Sequence, residues 1–385
     1  MPASWLRPIG SFFMSASISR DPLIDILKAL ACALIVWHHL AFYGPMSDVA
    51  WPLFPGLFAW LYNDARMAVQ VFLVLGGYLS VAHLAPQGRA RFESVQQQLG
   101  RRFTRLVVPY AVALVVALLA AAVVRPWLDH SSVPTEPRLS QLLAHALLLQ
   151  NIVGEESLSA GVWYVAIDFQ LFLMATLLFA GVRAVRVLGA HREVLVAQSL
   201  VVLGMAASLL VFNRQPALDM WGIYFWGSYG MGMVVYWAVR SRRTEWWLAG
   251  LVALVGLALV QDFRPRIAVA LLTALGLAWA LRHPLAWRSH AAVAWLQPWG
   301  QMSYSVFLVH FPVCLLVNAL VHGLWPQAVL PNVLGMLAAF VLSLAAGRLL
   351  YRWVEKPAPT WHQGLRWQAG LVGTGLLVVR ADAWM

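Results

Sequence analysis

Long apolar blocks, separated by short polar loops, run along almost the whole chain of 385 residues. Most blocks are about 16–22 residues long, and a helix of about 20 residues crosses the roughly 30 Å hydrocarbon core of a bilayer. The pattern predicts an all-α fold, that of a polytopic integral membrane protein with ten transmembrane helices. The predicted helices cover residues 23–43, 66–85, 106–124, 163–182, 195–213, 220–239, 246–261, 266–281, 301–321 and 329–351.

Three further apolar stretches are too short to cross a bilayer upright. Residues 51–62 and 141–153 are predicted to be re-entrant or interfacial, and residues 368–379 leave room for a short eleventh span. The longest gap between blocks, 125–162, is predicted to be a loop. The predicted parts of the chain are, in order, a cytoplasmic N-terminal tail (1–19), a membrane domain (20–358) and a C-terminal tail or short extra span (359–385).

The composition agrees with a chain that lies mostly in lipid. Hydrophobic residues make up 61% and charged residues 11%, whereas a soluble domain carries roughly 25% charged residues, so a water-soluble globular protein is excluded. The formal net charge of +11 does not indicate nucleic acid binding, because the arginines lie in short loops between apolar blocks. Cys32 and Cys314 both fall inside apolar blocks, and neither a disulfide nor a metal site is predicted.

The distribution of arginines predicts which loops face the cytoplasm. The loop after the second predicted helix carries five arginines, whereas the loop at 44–65 has no lysine or arginine. Since positively charged loops stay on the cytoplasmic side, the N-terminus is predicted to be cytoplasmic and the first helix to end on the outer side. Abundant alanine, leucine and arginine with little lysine is typical of GC-rich bacterial genomes, which favours the bacterial inner membrane.

Ionisable residues in the first predicted helix, DPLIDILKALACALIVWHHL, form a stripe. A charged side chain at membrane depth costs at least about 2.5 kcal/mol and usually faces a cavity or a partner. Lys28 and His39 are eleven residues apart, about 20° beyond three full turns, so they share one face. Asp25 lies one turn before Lys28. The stripe favours a polar cavity; the alternative is that Asp25 and Lys28 lie at the interface and His39 caps the helix.

Three other predicted helices carry polar candidates. Asp168 in the fourth could orient a histidine or form a packing hydrogen bond. His310 in the ninth falls near mid-membrane, two residues before Pro312, and could line a cavity or only pack; Tyr304 is on the same helix. Arg66 at the start of the second could line the cavity or anchor the helix at the interface.

A basic segment, RRFTRLVVPY, leads into the third predicted helix and contains Arg101, Arg102 and Arg105. Such a segment can set the topology and contact lipid headgroups. It can also attract an anionic substrate from the cytoplasm.

The stripe in the first helix resembles the start of the acyltransferase-3 family of membrane-bound O-acyltransferases. In that family an aspartate is followed by a basic residue and, eleven positions later, by a histidine. Here the pattern reads DILKALACALIVWHH, with Asp25, Lys28 and His39. Lysine stands where the family usually has arginine, which keeps the charge but loses the two-pronged hydrogen bonding of a guanidinium.

Five later segments resemble family motifs in the same order. VFLVLGGYL is similar to FFVLSGFL, and RRFTRLVVPY is similar to the basic stretch that follows it. WYVAIDFQLF resembles WSLSVEEQFYL, with Asp168 in place of a glutamate, and GQMSYSVFLVHFPV resembles ISYSLYLWHFPV. YRWVEKP resembles the closing motif, with Glu355. The resemblance covers residues 20–358; each motif alone is short and apolar, but six in the correct order are specific.

The resemblance implies transfer of an acyl group, with acetyl the expected one, from cytosolic acyl-CoA to a hydroxyl of a glycan or lipid-linked sugar. No bound cofactor is expected; the expected partners are acyl-CoA, the sugar acceptor and membrane lipids, without nucleic acid. The family's first-helix histidine is implicated in catalysis, so His39 is the predicted base or acyl carrier, and we predict that Asp168 orients it. The predicted substrate-binding residues are Lys28, Asp25, Arg66, Tyr304, His310, Arg102 and Arg105.

Two other functions fit the same pattern. Ten helices with a polar stripe could form a transporter that exports a glycan or a small solute, although the inverted repeats and paired broken helices of many transporters are not visible. A non-catalytic subunit of a polysaccharide-secretion complex is the third interpretation, because positions 28, 76 and 168 depart from the family pattern.

Overall fold

The computed structural model describes residues 21–185, 189–283 and 291–382, and the regular elements among them are all helical. The α-helices are α1 (Pro22–Phe42), α2 (Met46–Ala50), α3 (Pro55–Asn63), α4 (Val69–Leu84), α5 (Val95–Val124), α6 (Leu139–Ala146), α7 (Trp163–Ala184), α8 (Ala190–Leu210), α9 (Gly222–Ala238), α10 (Thr244–Gln261), α11 (Pro265–Arg282), α12 (Ala291–Gln301), α13 (Ser303–Leu324), α14 (Val329–Leu350) and α15 (Trp361–Asp382). The predicted N-terminal tail lies outside the described residues.

The predicted membrane helices are confirmed as helices. Among the described residues, nine helical stretches are long and apolar enough to cross a membrane, and they correspond to nine of the ten predicted spans. The tenth is α9, which has 17 residues and buries all of them except Ile223 within the protein. The fold is therefore that of an all-α polytopic membrane protein.

The close packing of α4 against α9 depends on two glycines. A Cβ atom at Gly77 would lie 1.8 Å from the carbonyl oxygen of Tyr229, and one at Gly232 would lie 1.8 Å from the carbonyl oxygen of Val74. Helices meet this closely where small residues let the backbones touch, since lipid offers little hydrophobic drive for helix association. Gly77 of the VFLVLGGYL segment therefore acts in helix packing.

The three shorter apolar stretches lie in helices of different lengths. Residues 51–62 become one tight turn followed by α3, and residues 141–153 contain α6. The stretch at 368–379 belongs to α15, which has 22 residues. Gly364 lies beside Thr104 of α5, and Gly375 contacts Leu142 of α6. α15 therefore packs against α5 and α6, and the stretch that the sequence left open as an extra span lies in a long helix that is not among the nine described stretches apolar enough to cross a membrane.

The helix α12 was not predicted. It precedes α13 and packs against the start of α1, where a Cβ atom at Gly300 would lie 1.8 Å from the carbonyl oxygen of Asp25. Its eleven residues are too few to cross a bilayer, so it does not stand out in the sequence as a long apolar block.

The two ends of the helical bundle are named here by the course of α1. The basal end is the end at which α1 begins, at Pro22, and the distal end is the end at which α1 finishes, at Phe42. Lys28 therefore lies toward the basal end and His39 lies at the distal end.

Candidate active site

Two histidines meet near the distal end of α1, His39 of α1 and His310 of α13. His310 lies within α13, which continues from there to Leu324, in agreement with its predicted place near the middle of the helix. The Nδ1 atom of His39 lies 2.7 Å from the Nε2 atom of His310, and the two ring planes differ by 6°. The His39 residue is 8% exposed and His310 is 1% exposed. The Nδ1 atom of His310 lies 2.6 Å from the carbonyl oxygen of Phe307, one turn earlier on α13. The pair is thus a buried, hydrogen-bonded chain of two imidazoles and one carbonyl.

The neighbouring histidine of α1 faces elsewhere, as the helical geometry predicts. The Nδ1 atom of His38 lies 3.0 Å from the carbonyl oxygen of Leu61 in α3. Successive residues of a helix point about 100° apart, so only His39 can reach α13 from its position.

A glycine in the loop before α7 lies directly against the histidine pair. Gly161 has a φ of +74°, and a Cβ atom there would lie 2.9 Å from the Phe307 ring and 3.2 Å from Cε1 of His39. A left-handed backbone favours glycine, and here the lack of a side chain also leaves room for the imidazole. Sequence reasoning missed this residue, because its role depends on which part of the loop reaches His39.

The same loop is tied to α6 by a second buried histidine. The Nδ1–H of His145 donates to the carbonyl oxygen of Gln141, and the backbone N–H of Leu158 donates to Nε2 of His145 at 3.1 Å. Burial lowers the pKa of His145 to about 4, so its ring is neutral at neutral pH and keeps the lone pair that Leu158 requires. The side-chain amide of Gln141 also donates to the carbonyl oxygen of Glu156 at 2.8 Å. The loop that approaches His39 is therefore held in place from α6.

The structure pairs Asp168 with an arginine and not with the first-helix histidine. The Nη2 atom of Arg102 lies 2.5 Å from Oδ2 of Asp168, and the guanidinium packs over the ring of Phe172. The predicted orienting role of Asp168 therefore has no direct hydrogen bond to His39 behind it. The reason is competition: Arg102 engages the carboxylate, and His310 occupies the ring nitrogen of His39 that an orienting carboxylate would need.

Aromatic rings connect this ion pair with the histidine pair. The ring of Tyr164 packs edge-on against Phe307, with centroids 6.0 Å apart, and Tyr164 lies within electrostatic range of both Asp168 and Arg102. Phe307 itself contacts His310, with centroids 6.1 Å apart. The predicted catalytic residues thus lie in one continuous region of the interior, although they do not touch.

Charged residues gather nearer the basal end. Glu355 lies within electrostatic range of Lys28 and Arg105, and its Oε2 accepts a hydrogen bond of 2.5 Å from the Ser305 hydroxyl. Lys28 is half-buried. Asp25 is buried, and its Oδ2 has no hydrogen-bond partner within the described part of the chain. Two of the predicted basic residues, Lys28 and Arg105, therefore lie near a carboxylate that the sequence marked only as part of the closing motif.

The two remaining predicted residues take structural positions. The Tyr304 hydroxyl donates to the carbonyl oxygen of Leu106 at 2.9 Å, which joins α13 to α5. Arg66 is exposed, and its Nε donates to the carbonyl oxygen of Asn63 at 3.1 Å. This placement of Arg66 agrees with the alternative of an interfacial anchor.

Comparison with known proteins is informative at the level of the family. No curated protein sequence and no solved structure matches the chain. A family profile described as an acyltransferase domain matches residues 21–352, a range that contains both histidines of the pair, the Arg102–Asp168 ion pair and Lys28. Because this match covers most of the 385 residues, and because the six motifs lie in the matching order, the chain belongs to the acyltransferase-3 family.

Proposed function

We propose that this protein transfers an acyl group, expected to be acetyl, from acyl-CoA to a hydroxyl of a glycan or lipid-linked saccharide, with His39 as the general base. Membership of the family supports acyl transfer in general. The observation that carries the more specific proposal is the buried His39, whose Nδ1 atom is engaged by His310. Its second nitrogen, Nε2, is the atom left to act on an acceptor hydroxyl.

The reaction needs one proton to move from the acceptor hydroxyl to the departing CoA thiolate. The Nε2 atom of His39 takes the proton of the acceptor hydroxyl while the hydroxyl oxygen attacks the carbonyl carbon of the thioester. A C–O bond forms, the C–S bond breaks, and the departing CoA thiolate takes the proton from His39. The acyl group has moved to the acceptor, free CoA leaves as the thiol, and the imidazole is neutral again.

The donor is proposed to approach from the basal end. Its phosphates suit a region that holds Lys28 and Arg105 around Glu355. Lys28 and His39 are separated by eleven residues of α1, about 16 Å along the helix axis. A flexible pantetheine arm would carry the thioester over that length from the basal cations toward the base.

The proposed orientation places the basal end in the cytoplasm of a bacterial cell, in the inner membrane. Acyl-CoA is a cytoplasmic metabolite, and the arginine-rich loops of the chain lie on the side where α1 begins. The acceptor would then reach His39 at the distal end, on the outer side.

Replacing Lys28 with alanine is expected to raise the KM for acyl-CoA about 10-fold or more, because a charge-assisted contact to a phosphate is lost. Lys28→Arg keeps the charge and should preserve the KM within a few-fold. Steady-state kinetics with varied acetyl-CoA measure both variants. A loss of turnover with an unchanged KM in Lys28→Ala would contradict the role of Lys28 in donor binding.

The function is tested with the purified full chain in lipid vesicles, given radiolabelled acetyl-CoA and an extract of bacterial lipid-linked saccharides. The expected result is label on a saccharide hydroxyl and release of one free CoA thiol per acyl group. A transporter would move solute without consuming the thioester, and a non-catalytic subunit would leave the acetyl-CoA intact. Either result would refute the proposed function.

A further inference from the structure

We infer that His310 is a positioning residue: it keeps a proton on Nδ1 of His39, so that the lone pair of His39 stays on Nε2 and faces the acceptor. This inference rests on the proposed function of His39 as a base. It differs from the substrate-binding role that the sequence predicts for His310.

The direction of each hydrogen bond in the chain follows from its last member. The carbonyl oxygen of Phe307 can only accept, so the Nδ1 atom of His310, 2.6 Å away, must carry the proton. A neutral His310 then has its lone pair on Nε2. The Nδ1 atom of His39 lies 2.7 Å from that lone pair and must therefore be the donor. The remaining nitrogen of a neutral His39, Nε2, is unprotonated and can act as a base.

Burial of both rings favours this tautomer of His39 over the alternative one. With His310 1% exposed and His39 8% exposed, water has little access to offer either ring a competing hydrogen bond. The planes of the two rings are within 6° of parallel, and the distance of 2.7 Å between Nδ1 of His39 and Nε2 of His310 is that of a hydrogen bond. The tautomer of His39 is thus set by its neighbour, in the way that a histidine's second hydrogen bond commonly sets it.

Both nitrogens of His310 are occupied, which argues against direct substrate binding. One nitrogen meets Phe307 and the other meets His39, so neither a donor nor an acceptor remains for a sugar or a thioester. When His39 takes a proton from the acceptor, the added charge can be shared between the two imidazoles through the hydrogen bond that joins them. The pair can therefore hold the transferred proton until the thiolate receives it.

Substitutions of His310 separate positioning from simple packing. Glutamine can place an amide oxygen near the position of Nε2 and accept the Nδ1–H of His39, whereas leucine fills the space without an acceptor. We expect His310→Gln to keep kcat within about 10-fold, and His310→Leu to lose about 10²-fold or more in kcat, since a wrong tautomer disables a catalytic histidine. The KM for acetyl-CoA should stay the same in both.

A matched control lies on the same helix. His322 is also on α13, and its Nδ1 atom is buried without a hydrogen-bond partner among the described residues, so His322→Leu should leave kcat near the wild-type value. Equal activity in His310→Leu and His310→Gln would overturn the inference. A raised KM for the acceptor with an unchanged kcat would overturn it as well, because that pattern indicates substrate binding.

The tautomer can also be observed directly, which covers the case in which His310→Leu fails to fold. The chain has 11 histidines, and nitrogen-15 NMR of histidine-labelled protein identifies the His39 signals by their disappearance in His39→Gln. In the wild-type protein we expect a protonated Nδ1 and an unprotonated Nε2 for His39. A proton on Nε2 would refute the positioning role. The spectrum does not depend on acyl transfer, so a protein with the expected tautomer and no activity would refute only the proposed function.

Discussion

Replacing His39 with glutamine is expected to lower acyl transfer by about 10²- to 10⁴-fold, which is the usual contribution of a general base. Glutamine is close to histidine in size and can still hydrogen-bond to His310, but it has no lone pair of comparable basicity. The measurement is kcat for label transfer from acetyl-CoA in vesicles. Membrane insertion and the thermal unfolding temperature in detergent should stay close to those of the wild type.

The adjacent histidine provides the matched control for this prediction. His38 is buried to a similar extent, at 7% exposed, but it bonds to the carbonyl oxygen of Leu61 and not to α13. His38→Gln should therefore retain activity within a few-fold. If His39→Gln remained fully active, or if both variants lost activity equally, His39 would have no special part in the chemistry.

Replacing Gly161 with alanine is expected to cost about 10²-fold in kcat, because the new methyl group would press on the base. The Cβ atom would lie 3.2 Å from Cε1 of His39 and 2.9 Å from the Phe307 ring. Phe307 is also packed against Tyr164, so the added methyl group is expected to displace His39 or the loop. A displacement of about 1 Å at a catalytic group can cost this much.

A second glycine in the same loop isolates the steric effect from the backbone effect. Gly154 has a φ of +72°, close to that of Gly161, but a Cβ atom there would meet nothing within 4 Å. Both substitutions carry the cost of a left-handed alanine, roughly 1–2 kcal/mol, so a similar loss of thermal stability is expected. Gly154→Ala should keep its kcat. Equal kcat losses in the two variants would mean that contact with His39 is not the cause.

In the proposed mechanism the donor phosphates bind toward the basal end and the base acts toward the distal end, and the charges differ between these two regions. Lys28 and Arg105 lie near Glu355 toward the basal end, where the phosphates of the proposed donor would be met. At the distal end the two histidine rings bond to each other and to the carbonyl oxygen of Phe307, with no carboxylate in that chain of hydrogen bonds. A neutral base in a buried site avoids the cost of holding an uncompensated charge there.

Much of the fold could be predicted because the bilayer imposes strict rules on the chain. Apolar blocks of about 20 residues must form helices to satisfy their backbone hydrogen bonds in lipid, and each of the ten predicted blocks is a helix. The two helices that were not fully predicted are those that do not form long, uniformly apolar blocks. The eleven residues of α12 are too short to be recognised as a span, and α15 contains enough polar residues to hide its length.

The sequence by itself determined the helices, the shared face of Lys28 and His39, and the family, because these depend on residues close together in the chain or on motifs in order. Only the tertiary structure decided which side chains meet. His39 and His310 are 271 positions apart, and Arg102 and Asp168 are 66 apart. The pattern within one helix indicates which of its faces is polar. It does not indicate how far along its axis a second helix is shifted, or how that helix is rotated, when the two pack together. Those two quantities are set by the contacts of the whole bundle, and they placed His310, and not Asp168, beside His39.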